Sequence, residues 1–403
     1  MAISNTYDMA FNDEDPPGDG SESSNAVRIT GTGVFDGTKF DGSNGTNKIR
    51  PASEAPESGR LSFVVSGSDW LQDYGTSVLG TTDYIGDLNG LATDAGFSGL
   101  HFYVQNRTDA ASSSLRITLH NDGSVEESAN FTGLAQHTAG DVLDLIWRKR
   151  ENRIEAEYFM NGVPLVRHIF DVVPTDIDGG AGYVGIVSSN SLNNDLSSFG
   201  WTDTPFMNVR EVSTDPQSVD VTYRYEDGVE HTATTTHVYT NAEDAVSNSL
   251  KFGDLIVPNK AFDDSTAFSG FTTKNITMIA ASAIKTDATD TENGYRLTNI
   301  SWSGGRNYNY GGVICDIMML QPTGGNFIYT DPASGTSVLT LARNVFKADG
   351  EATGAIRVLS SGSTPHSLDL RRNIFYGSGG AYVLLMSISN LLSGRLDLDG
   401  NIA

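Results

Sequence analysis

Three carboxylates and two arginines near the C-terminal end have the residue types and spacing that best fit acid–base chemistry. Asp369 and Asp397 stand in similar places before two Asn residues, and Asp399 falls on the same strand face as Asp397. Arg371 and Arg372 are close by in the sequence. Two carboxylates at a controlled separation can cleave a glycosidic bond. The alternative is that these carboxylates are solvated or cap turns, and we assign no catalytic residue.

Aromatic side chains in glycine-rich sequence offer a second kind of site. Flat aromatic rings pack against the C–H faces of sugars. Trp302, Tyr308 and Tyr310 lie in one short segment rich in Gly and Asn, which predicts a loop, and we take them as the candidate carbohydrate-binding residues. Trp70, Tyr74, Tyr84 and Trp201 are further aromatic candidates, of which Trp70 and Trp201 are expected in the core or at its edge.

Metal and cofactor motifs are missing from the sequence. The seven histidines are scattered, and no pair has the spacing of metal ligands. There is no Gly-x-Ser-x-Gly elbow, no phosphate-binding loop and no dinucleotide fingerprint. The sequence therefore predicts no cofactor, and it leaves calcium open without a motif that would assign ligands.

A repeated pattern organises the C-terminal third of the chain. An Asn followed by an apolar residue recurs six times, with spacings of 24, 27, 18, 29 and 28 residues, at Asn275, Asn299, Asn326, Asn344, Asn373 and Asn401. Repeats of this length between Gly/Ser/Asp turns are typical of a β-solenoid. We expect these Asn residues to occupy comparable places in successive coils and to form hydrogen bonds along the stack.

The N-terminal half shows a different periodicity. Segments such as residues 99–104, 114–119 and 142–147 alternate apolar and polar residues with period two. Turns between such segments every 8–12 residues predict an antiparallel sandwich. Asn121-Asp122-Gly123 and Asn161-Gly162 predict tight hairpins, because these residues tolerate positive φ.

Two family resemblances follow from these segments. Residues 144–147, 154–165 and 182–187, with a closing strand at residues 206–212, resemble the concanavalin-like or laminin-G-like jelly rolls, many of which bind carbohydrate. A short helix at residues 241–250, capped by Thr240 and Glu243, precedes two strands at residues 252–258 and 274–280. That order resembles the opening of pectate-lyase-like right-handed parallel β-helices, a fold that serves enzymes and viral fibres alike.

The fold class predicted is all-β, with an antiparallel jelly-roll sandwich followed by a right-handed parallel β-helix. We divide the chain into an acidic N-terminal arm at residues 1–25 and a sandwich at residues 26–212. A β-hairpin connector follows at residues 213–240, and the β-helix occupies residues 241–403. The last repeat stops without a polar cap. We expect either that the sequence continues in a longer protein or that neighbouring chains complete this coil.

Composition limits the partners of the protein. The formal net charge of −24 argues against nucleic-acid binding, because phosphates repel such a surface. The N-terminus lacks the basic start and apolar core of a signal peptide, and no stretch approaches the roughly 18 apolar residues of a membrane span. We therefore expect synthesis in a cytoplasm, no membrane insertion, and release by lysis.

These observations favour a structural, host-recognition protein of a tailed bacteriophage, such as a tail fibre, tailspike or head fibre. It would lie in the virion as a homotrimer, contact other virion structural proteins through its N-terminal arm, and bind host surface polysaccharide. The first alternative is a polysaccharide-degrading lyase or hydrolase with an attached carbohydrate-binding module. The second is a bacterial surface adhesin. Catalysis rests on fold analogy alone, so we expect a non-enzymatic protein.

Overall fold

The computed structural model divides the 403-residue chain into two compact units that meet between Pro205 and Phe206. Each unit is described by itself below. The structure describes residues 6–9, 27–30, 34–35, 40–41, 47–51, 56–65, 73–80, 96–107, 110–174, 177, 183–188, 196–214, 220–225, 228–259, 263–266, 268, 274–281, 294–297, 312–321, 326–330, 337–348, 354–358, 366–376, 382–386 and 396–402.

The first unit, here called the sandwich unit, consists of antiparallel strands. They are β1 (Thr6–Met9), β2 (Val27–Thr30), β3 (Val34–Phe35), β4 (Phe40–Asp41), β5 (Asn47–Pro51), β6 (Ser58–Val65), β7 (Asp73–Gly80), β8 (Gly99–Gln105), β9 (Ser114–Asn121), β10 (Ser124–Thr132), β11 (Val142–Lys149), β12 (Ile154–Met160), β13 (Val163–Phe170), β14 (Tyr183–Ser188) and β15 (Leu196–Thr202).

Two sheets of this unit share one apolar core. Sheet A has the order β13-β12-β11-β6-β15-β4-β3, with β1 also paired to β15, and sheet B has the order β10-β9-β8-β7-β14-β5-β2. Side chains from both sheets meet in one buried cluster, including Phe63 and Trp147 from sheet A and Phe102 and Ile117 from sheet B. The period-two pattern seen in the sequence supplies this cluster, because every second residue of a strand faces the same side.

The two predicted hairpins are confirmed. Asp122 and Gly123 have φ of 48° and 77° between β9 and β10, and Asn161 and Gly162 have φ of 53° and 74° between β12 and β13. Positive φ at both central residues matches the right-handed twist of the flanking strands. Residues 6–9, which the sequence placed in a flexible arm, instead form β1 on sheet A, with Thr6 opposite Thr202.

The second unit, here called the parallel-sheet unit, contains one helix and mostly short strands. They are β16 (Asn208–Val212), β17 (Asp220–Arg224), β18 (Glu230–Thr234), β19 (His237–Tyr239), α1 (Ala242–Ser247), β20 (Asp254–Pro258), β21 (Asp263–Asp264), β22 (Ile276–Ile279), β23 (Tyr295–Leu297), β24 (Gly312–Cys315), β25 (Ile317–Gln321), β26 (Asn326–Thr330), β27 (Ser337–Ala342), β28 (Val345–Ala348), β29 (Gly354–Val358), β30 (His366–Arg371), β31 (Ile374–Tyr376), β32 (Tyr382–Met386) and β33 (Leu396–Asp399).

Three parallel sheets take up successive strands in turn. The main sheet has the order β19-β16-β20-β22-β24-β27-β30-β33, the second β21-β23-β25-β28-β31, and the third β26-β29-β32. From β24 onward the chain visits the main, second and third sheets and then returns to the main sheet. We call one such passage a rung. From β24 onward each main-sheet strand pairs with the one 27–29 residues later, as Gly312 does with Leu339, Ser337 with His366 and Leu368 with Leu396.

A buried ladder of Asn side chains joins the last rungs. The Asn373 side-chain oxygen accepts from the backbone N–H and the Nδ2 of Asn344, at 3.0 and 3.2 Å. Asn401 receives the same two bonds from Asn373, both at 3.0 Å. Each Nδ2 also donates to a backbone carbonyl of an earlier rung, at Ile314, Leu341 and Leu370. The predicted hydrogen bonding along the stack is therefore confirmed for these three residues.

Two other Asn residues of the predicted repeat, Asn275 and Asn326, stand at the starts of strands rather than at this corner. Asn275 precedes main-sheet strand β22, whereas Asn344 follows main-sheet strand β27. Asn326 begins a strand of the third sheet. Asn299 lies outside the described residues. The expectation that Asn275 and Asn344 occupy comparable places was wrong, because an Asn-apolar pair fits both the start of a strand and the corner after it.

The residue before each ladder position has positive φ. Arg343, Arg372 and Gly400 have φ between 53° and 59°, and Asp316 holds the same place one rung earlier with φ 59°. This left-handed conformation turns the chain from the main sheet into the second sheet. Arg343 donates to both oxygens of Asp316, at 3.0 and 2.8 Å, and Arg224 adds a bond of 3.1 Å to the same carboxylate.

The β17–β18 hairpin packs on the outer face of the main sheet. Its residues Val221, Tyr223 and Ala233 share a buried cluster with Val313 and Cys315. The hairpin was predicted from the sequence and its antiparallel pairing is confirmed. Strand β16, in contrast, was expected to close the sandwich, but it pairs in parallel with β19 and β20 in the main sheet.

Helix α1 begins one residue later than the predicted capping box requires. Asn241 is its N-cap and accepts from the backbone N–H of Asp244 at 2.8 Å, so Thr240 and Glu243 do not form the cap. Ala242, Ala245 and Val246 of the helix belong to the buried cluster between the parallel sheets.

We predict that Asn373→Ala lowers the free energy of unfolding by about 3 kcal/mol. The substitution removes the acceptor of the buried Asn344 backbone N–H and the donor to the Leu341 carbonyl. Urea unfolding measures the loss. The control is Asn248→Ala, at an exposed Asn of the same unit outside the ladder, which should cost less than about 1 kcal/mol. Equal losses for the two variants would contradict the ladder's role.

Candidate functional site

A strip of polar side chains crosses the outer face of sheet B. Tyr103 on β8 lies opposite Arg116 on β9, and Arg116 lies opposite Asn130 on β10. Neighbouring rows place Gln105 opposite Ser114 and Thr118 opposite Ser128. We call Tyr103, Gln105, Ser114, Arg116, Thr118, Ser128 and Asn130 the polar strip. Their alternate neighbours on β8 and β9, such as Phe102 and Ile117, fill the core.

Contacts within the polar strip fix its side chains in place. Arg116 Nε donates to Asn130 Oδ1 at 2.9 Å, and its guanidinium carbon lies 5.9 Å from the centre of the Tyr103 ring. Gln105 donates to the Tyr103 hydroxyl at 2.7 Å and accepts from Ser114 at 2.8 Å. Such pre-ordered groups lose little rotamer freedom when a ligand binds.

Exposure falls from β10 to β8 along the row Asn130–Arg116–Tyr103, whereas Thr118 in a neighbouring row is fully buried. Asn130 and Ser128 on the edge strand β10 are exposed, Arg116 is half-buried, and Tyr103 is 7% exposed. Next to Tyr103 on the same face lies His101, whose two ring nitrogens are buried without a hydrogen-bond partner among the described residues. Burial, followed by the charges of His120 and Arg116, lowers the pKa of His101 to about 3, so its imidazole is neutral at ordinary pH.

The polar strip offers hydrogen-bonding groups that suit recognition of a polar ligand. A guanidinium donates, hydroxyls donate and accept, and carboxamides do both, which is the set that pairs with the vicinal hydroxyls of a sugar. The strip contains no carboxylate. Exposed groups at the β10 edge are accessible to a large ligand such as a polymer, whereas the buried end holds the strip in position.

A second polar cluster lies on the outer face of sheet A and involves paired carboxylates. Arg148 binds Glu157 with two bonds of 2.9 Å, and Arg153 binds Glu155 at 3.0 Å. Both glutamates are at least 96% buried, and Arg150, Arg153 and neighbouring arginines hold the pKa of Glu155 far below its usual range against the opposing effect of burial. A buried carboxylate with a strongly lowered pKa, such as Glu155, cannot act as a general acid, and both glutamates are held in ion pairs with arginines.

The carboxylates singled out in the sequence do not form one site. Asp369 is fully buried and accepts from Thr340 at 3.4 Å, and Arg371 is 6% exposed. Asp399 and Arg372, in contrast, are exposed, with 3.9 Å between Arg372 Nε and an Asp399 oxygen. Asp397 pairs with Asp369 in the main sheet, and its side chain lies outside the described residues. A substrate cannot reach Asp369 and Asp399 together.

The aromatic candidates divide between the core and undescribed sequence. Trp302, Tyr308 and Tyr310 lie outside the described residues, as do Trp70 and Tyr84, so that proposed binding loop stays a prediction. Tyr74 and Trp201 are buried in the sandwich core, as expected for Trp201, and the burial of Tyr74 removes it from the aromatic candidates.

The polar strip was not predicted from the sequence, because the candidate binding residues were assigned to a predicted loop. Tyr103, Ser114, Arg116 and Thr118 lie in the alternating segments 99–104 and 114–119, whereas Gln105, Ser128 and Asn130 lie outside the segments from which strands were predicted. Only the pairing of β8, β9 and β10 shows that Tyr103, Arg116 and Asn130 stand in one row.

Within the described part of the chain, no group of three or more His, Cys, Asp or Glu residues is placed to hold a metal ion. The same residues include no helix long and apolar enough to cross a membrane.

Comparisons with known proteins find similarity in solved structures alone. No family model and no curated protein matches the sequence. A legume lectin-like domain from Entamoeba histolytica matches with 14% identity and a TM-score of 0.33, over 44% of this chain and 89% of that one. Peanut lectin matches with 12% identity and a TM-score of 0.31, over 50% and 97%. A galectin-like protein of unknown function from Bacillus subtilis matches with 13% identity and a TM-score of 0.33, over 44% and 89%.

We predict that the sandwich unit loses stability as the pH falls below 6.5. The pKa of His101 is about 3 in the folded protein and 6.5 in the unfolded chain. As the pH falls, His101 is therefore protonated in the unfolded chain before it is protonated in the folded protein. Stability is fully present above pH 6.5 and declines by about 1.4 kcal/mol per pH unit for this group as the pH falls toward 3. Urea unfolding at pH 7.0, 5.5 and 4.5 measures the slope.

His101→Leu should lower the slope of unfolding free energy against pH by about 1.4 kcal/mol per pH unit, the contribution of one proton. The exposed His237 provides the control, because His237→Leu should leave the pH dependence unchanged. A slope that is the same in His101→Leu and in the unmodified protein would contradict the assignment.

Proposed function

We propose that this chain is a non-enzymatic structural protein that binds surface carbohydrate through the polar strip of its sandwich unit. The observation that carries the proposal is the row Tyr103–Arg116–Asn130, which leads from a buried aromatic ring to exposed hydrogen-bonding groups. Sugar recognition uses such sets of planar amide, guanidinium and hydroxyl groups together with aromatic surface. A concanavalin-like jelly roll is the fold that this proposal assigns to the sandwich unit.

The parallel-sheet unit is proposed to be a right-handed parallel β-helix. Three observations support this: the chain visits three parallel sheets in a fixed cycle, the strands pair 27–29 residues apart, and the Asn ladder repeats at one corner. Right-handed crossover connections are the rule for parallel strands of one sheet. A β-helix of this kind gives a stiff rod, which suits a structural role.

The proposed setting is the virion of a tailed bacteriophage, as a tail fibre, tailspike or head fibre. The all-β architecture, the net charge of −24 and the presence of both a sandwich unit and stacked rungs support this setting. Other virion proteins and host surface polysaccharide are the proposed partners. The genes that neighbour this one test the setting: capsid, portal and tail genes are expected, and a cluster of sugar-catabolism genes would contradict it.

The enzyme alternative is disfavoured by the position of its carboxylates. Asp369 is fully buried, and Glu155 and Glu157 are locked in ion pairs with arginines. Incubation with host polysaccharide should yield neither new reducing ends nor unsaturated products. Release of such products that disappears in Asp369→Asn would decide for a lyase or hydrolase.

We predict that Arg116→Ala weakens binding to host polysaccharide about tenfold, equivalent to about 1.4 kcal/mol. The variant removes the cation and the group that orients Asn130. Surface plasmon resonance on immobilised polysaccharide measures the change. Arg372→Ala is the matched control, because Arg372 is an exposed arginine of the other unit, and it should bind normally. Equal affinity of both variants and the unmodified protein would remove the polar strip from the proposal.

We predict a homotrimer built by side-by-side association of the parallel-sheet units. Such association covers outer apolar surface that single chains leave in water. Analytical ultracentrifugation at micromolar concentration should give three times the 43.1 kDa chain mass. A stable species of one chain mass would refute the trimer while leaving carbohydrate binding open.

A further inference from the structure

Strand β10 carries a line of accessible side chains on the outer face of sheet B. Ser128, Asn130 and Thr132 share this face with the polar strip, because their partners on β9 belong to the strip, and all three are exposed. Val125 stands opposite His120 on the same face and is 43% exposed. We call Val125, Ser128, Asn130 and Thr132 the β10 line. It extends over about 20 Å at the usual rise of an antiparallel strand.

The accessible groups follow the strand rather than the row across the sheet. Across the sheet, exposure falls from Asn130 to the half-buried Arg116 and to Tyr103 at 7%. Along β10, every member of the β10 line is exposed. A ligand that lay across the row would reach little beyond its first group, whereas a ligand along the strand reaches all four. The arrangement therefore suits an extended ligand that is longer than one sugar ring.

The inner side of β10 is covered by sheet A. His168 Nε2 on β13 lies 2.9 Å from Glu127 Oε1, and the ring centres of His168 and Phe131 are 6.0 Å apart. Among the described residues β10 pairs with β9 alone, so it forms an edge of sheet B. A ligand therefore approaches β10 from the outer face and from this edge.

The edge is poorly suited to the addition of a protein strand. The register of β10 against β9 shifts between Val125 and Glu127, which makes Glu126 the extra residue of a β-bulge. Glu126 is also exposed. A bulge twists an edge strand, and an exposed charge on it opposes pairing with a further strand. A ligand that bonds through separate hydroxyl groups does not need a regular strand register.

We propose that the β10 line binds an internal stretch of an extended, uncharged polysaccharide chain, which lies along the strand. This inference rests on the carbohydrate-binding function proposed above and names the class of glycan. Ser128, Asn130 and Thr132 supply hydroxyl and carboxamide groups that pair with sugar hydroxyls. Val125 supplies apolar surface for the C–H face of a sugar ring. Arg116 orients the Asn130 side chain through a bond of 2.9 Å.

Charge selects against acidic glycans at this surface. Glu126 and Asp122 are exposed near one end of the β10 line. The positive charge of the polar strip is that of Arg116, whose Nε is bonded to Asn130. The net charge of −24 adds repulsion of acidic polymers at longer range. Carboxylates on the sugar chain would therefore lower its affinity.

The probes are fragments of host surface polysaccharide, prepared by partial hydrolysis and graded in length from the monosaccharide to the octasaccharide. Each competes with the immobilised intact polysaccharide for the full-length protein in surface plasmon resonance. The octasaccharide should compete at least about tenfold more strongly than the monosaccharide, because it reaches more of the β10 line. An octasaccharide whose primary hydroxyls are oxidised to carboxylates should compete about threefold more weakly than the unmodified one at low salt, with the difference shrinking as salt rises.

Variants at the two ends of the β10 line locate the chain. Val125→Ser and Thr132→Ala should each weaken octasaccharide binding about threefold, the loss expected for one apolar contact or one hydrogen bond. The matched control is Val163→Ser, at a valine that is 56% exposed in another hairpin of the same unit, and it should bind normally.

Three results would overturn this inference and leave the proposed function in place. They are a monosaccharide that competes as strongly as the octasaccharide, an oxidised octasaccharide that competes as strongly as the unmodified one, and normal octasaccharide binding by both end variants. Absent binding of the intact polysaccharide, or normal binding by Arg116→Ala, would remove the proposed function and this inference with it. Self-association that Val125→Ser abolishes, without fragment binding, would assign the edge to a second copy and also overturn the inference.

Discussion

Backbone hydrogen bonding at one corner constrains the whole parallel-sheet unit. Where each rung turns from the main sheet to the second sheet, backbone N–H groups point along the stack and lie too deep for water. A buried N–H without a partner costs about 1–3 kcal/mol, so every rung needs an acceptor there. The side-chain oxygens of Asn344, Asn373 and Asn401 are these acceptors. They accept from the backbone N–H groups of Ile317, Asn344 and Asn373, respectively.

Other features of the unit follow from this corner. The residue before each Asn must take positive φ so that the amide points inward, as at Arg343 and Arg372. Leu341 and Leu370 then fall in register and bury each other. One rung earlier, Ile317 replaces Asn, and Arg343 and Arg224 hold the Asp316 carboxylate at the corner. This ion pair also ties the β17–β18 hairpin to the stack.

Sequence patterns predicted the repeating parts of the fold and failed where local patterns are ambiguous. Strand alternation and the Asn121–Gly123 and Asn161–Gly162 turns predicted the hairpins, because period and positive φ are local properties. The same Asn-apolar pair predicted an equivalent place for Asn275, which only the register of β22 against β24 could exclude. Likewise, nothing within residues 206–212 distinguishes the last strand of a sandwich from the first of a parallel sheet. The polar strip forms only where β8, β9 and β10 pair in register, so no single segment of the sequence predicts it.

The central claim is that the sandwich unit recognises carbohydrate on the outer face of sheet B while the stacked rungs serve as a scaffold. Hydrogen–deuterium exchange of the protein with and without host surface polysaccharide tests this most directly. The account predicts slower exchange in residues 114–118 and 126–132 on binding, with unchanged exchange in residues 337–348 and 366–376. Protection that appears in residues 302–310 or 366–376 while residues 114–132 are unchanged would contradict it.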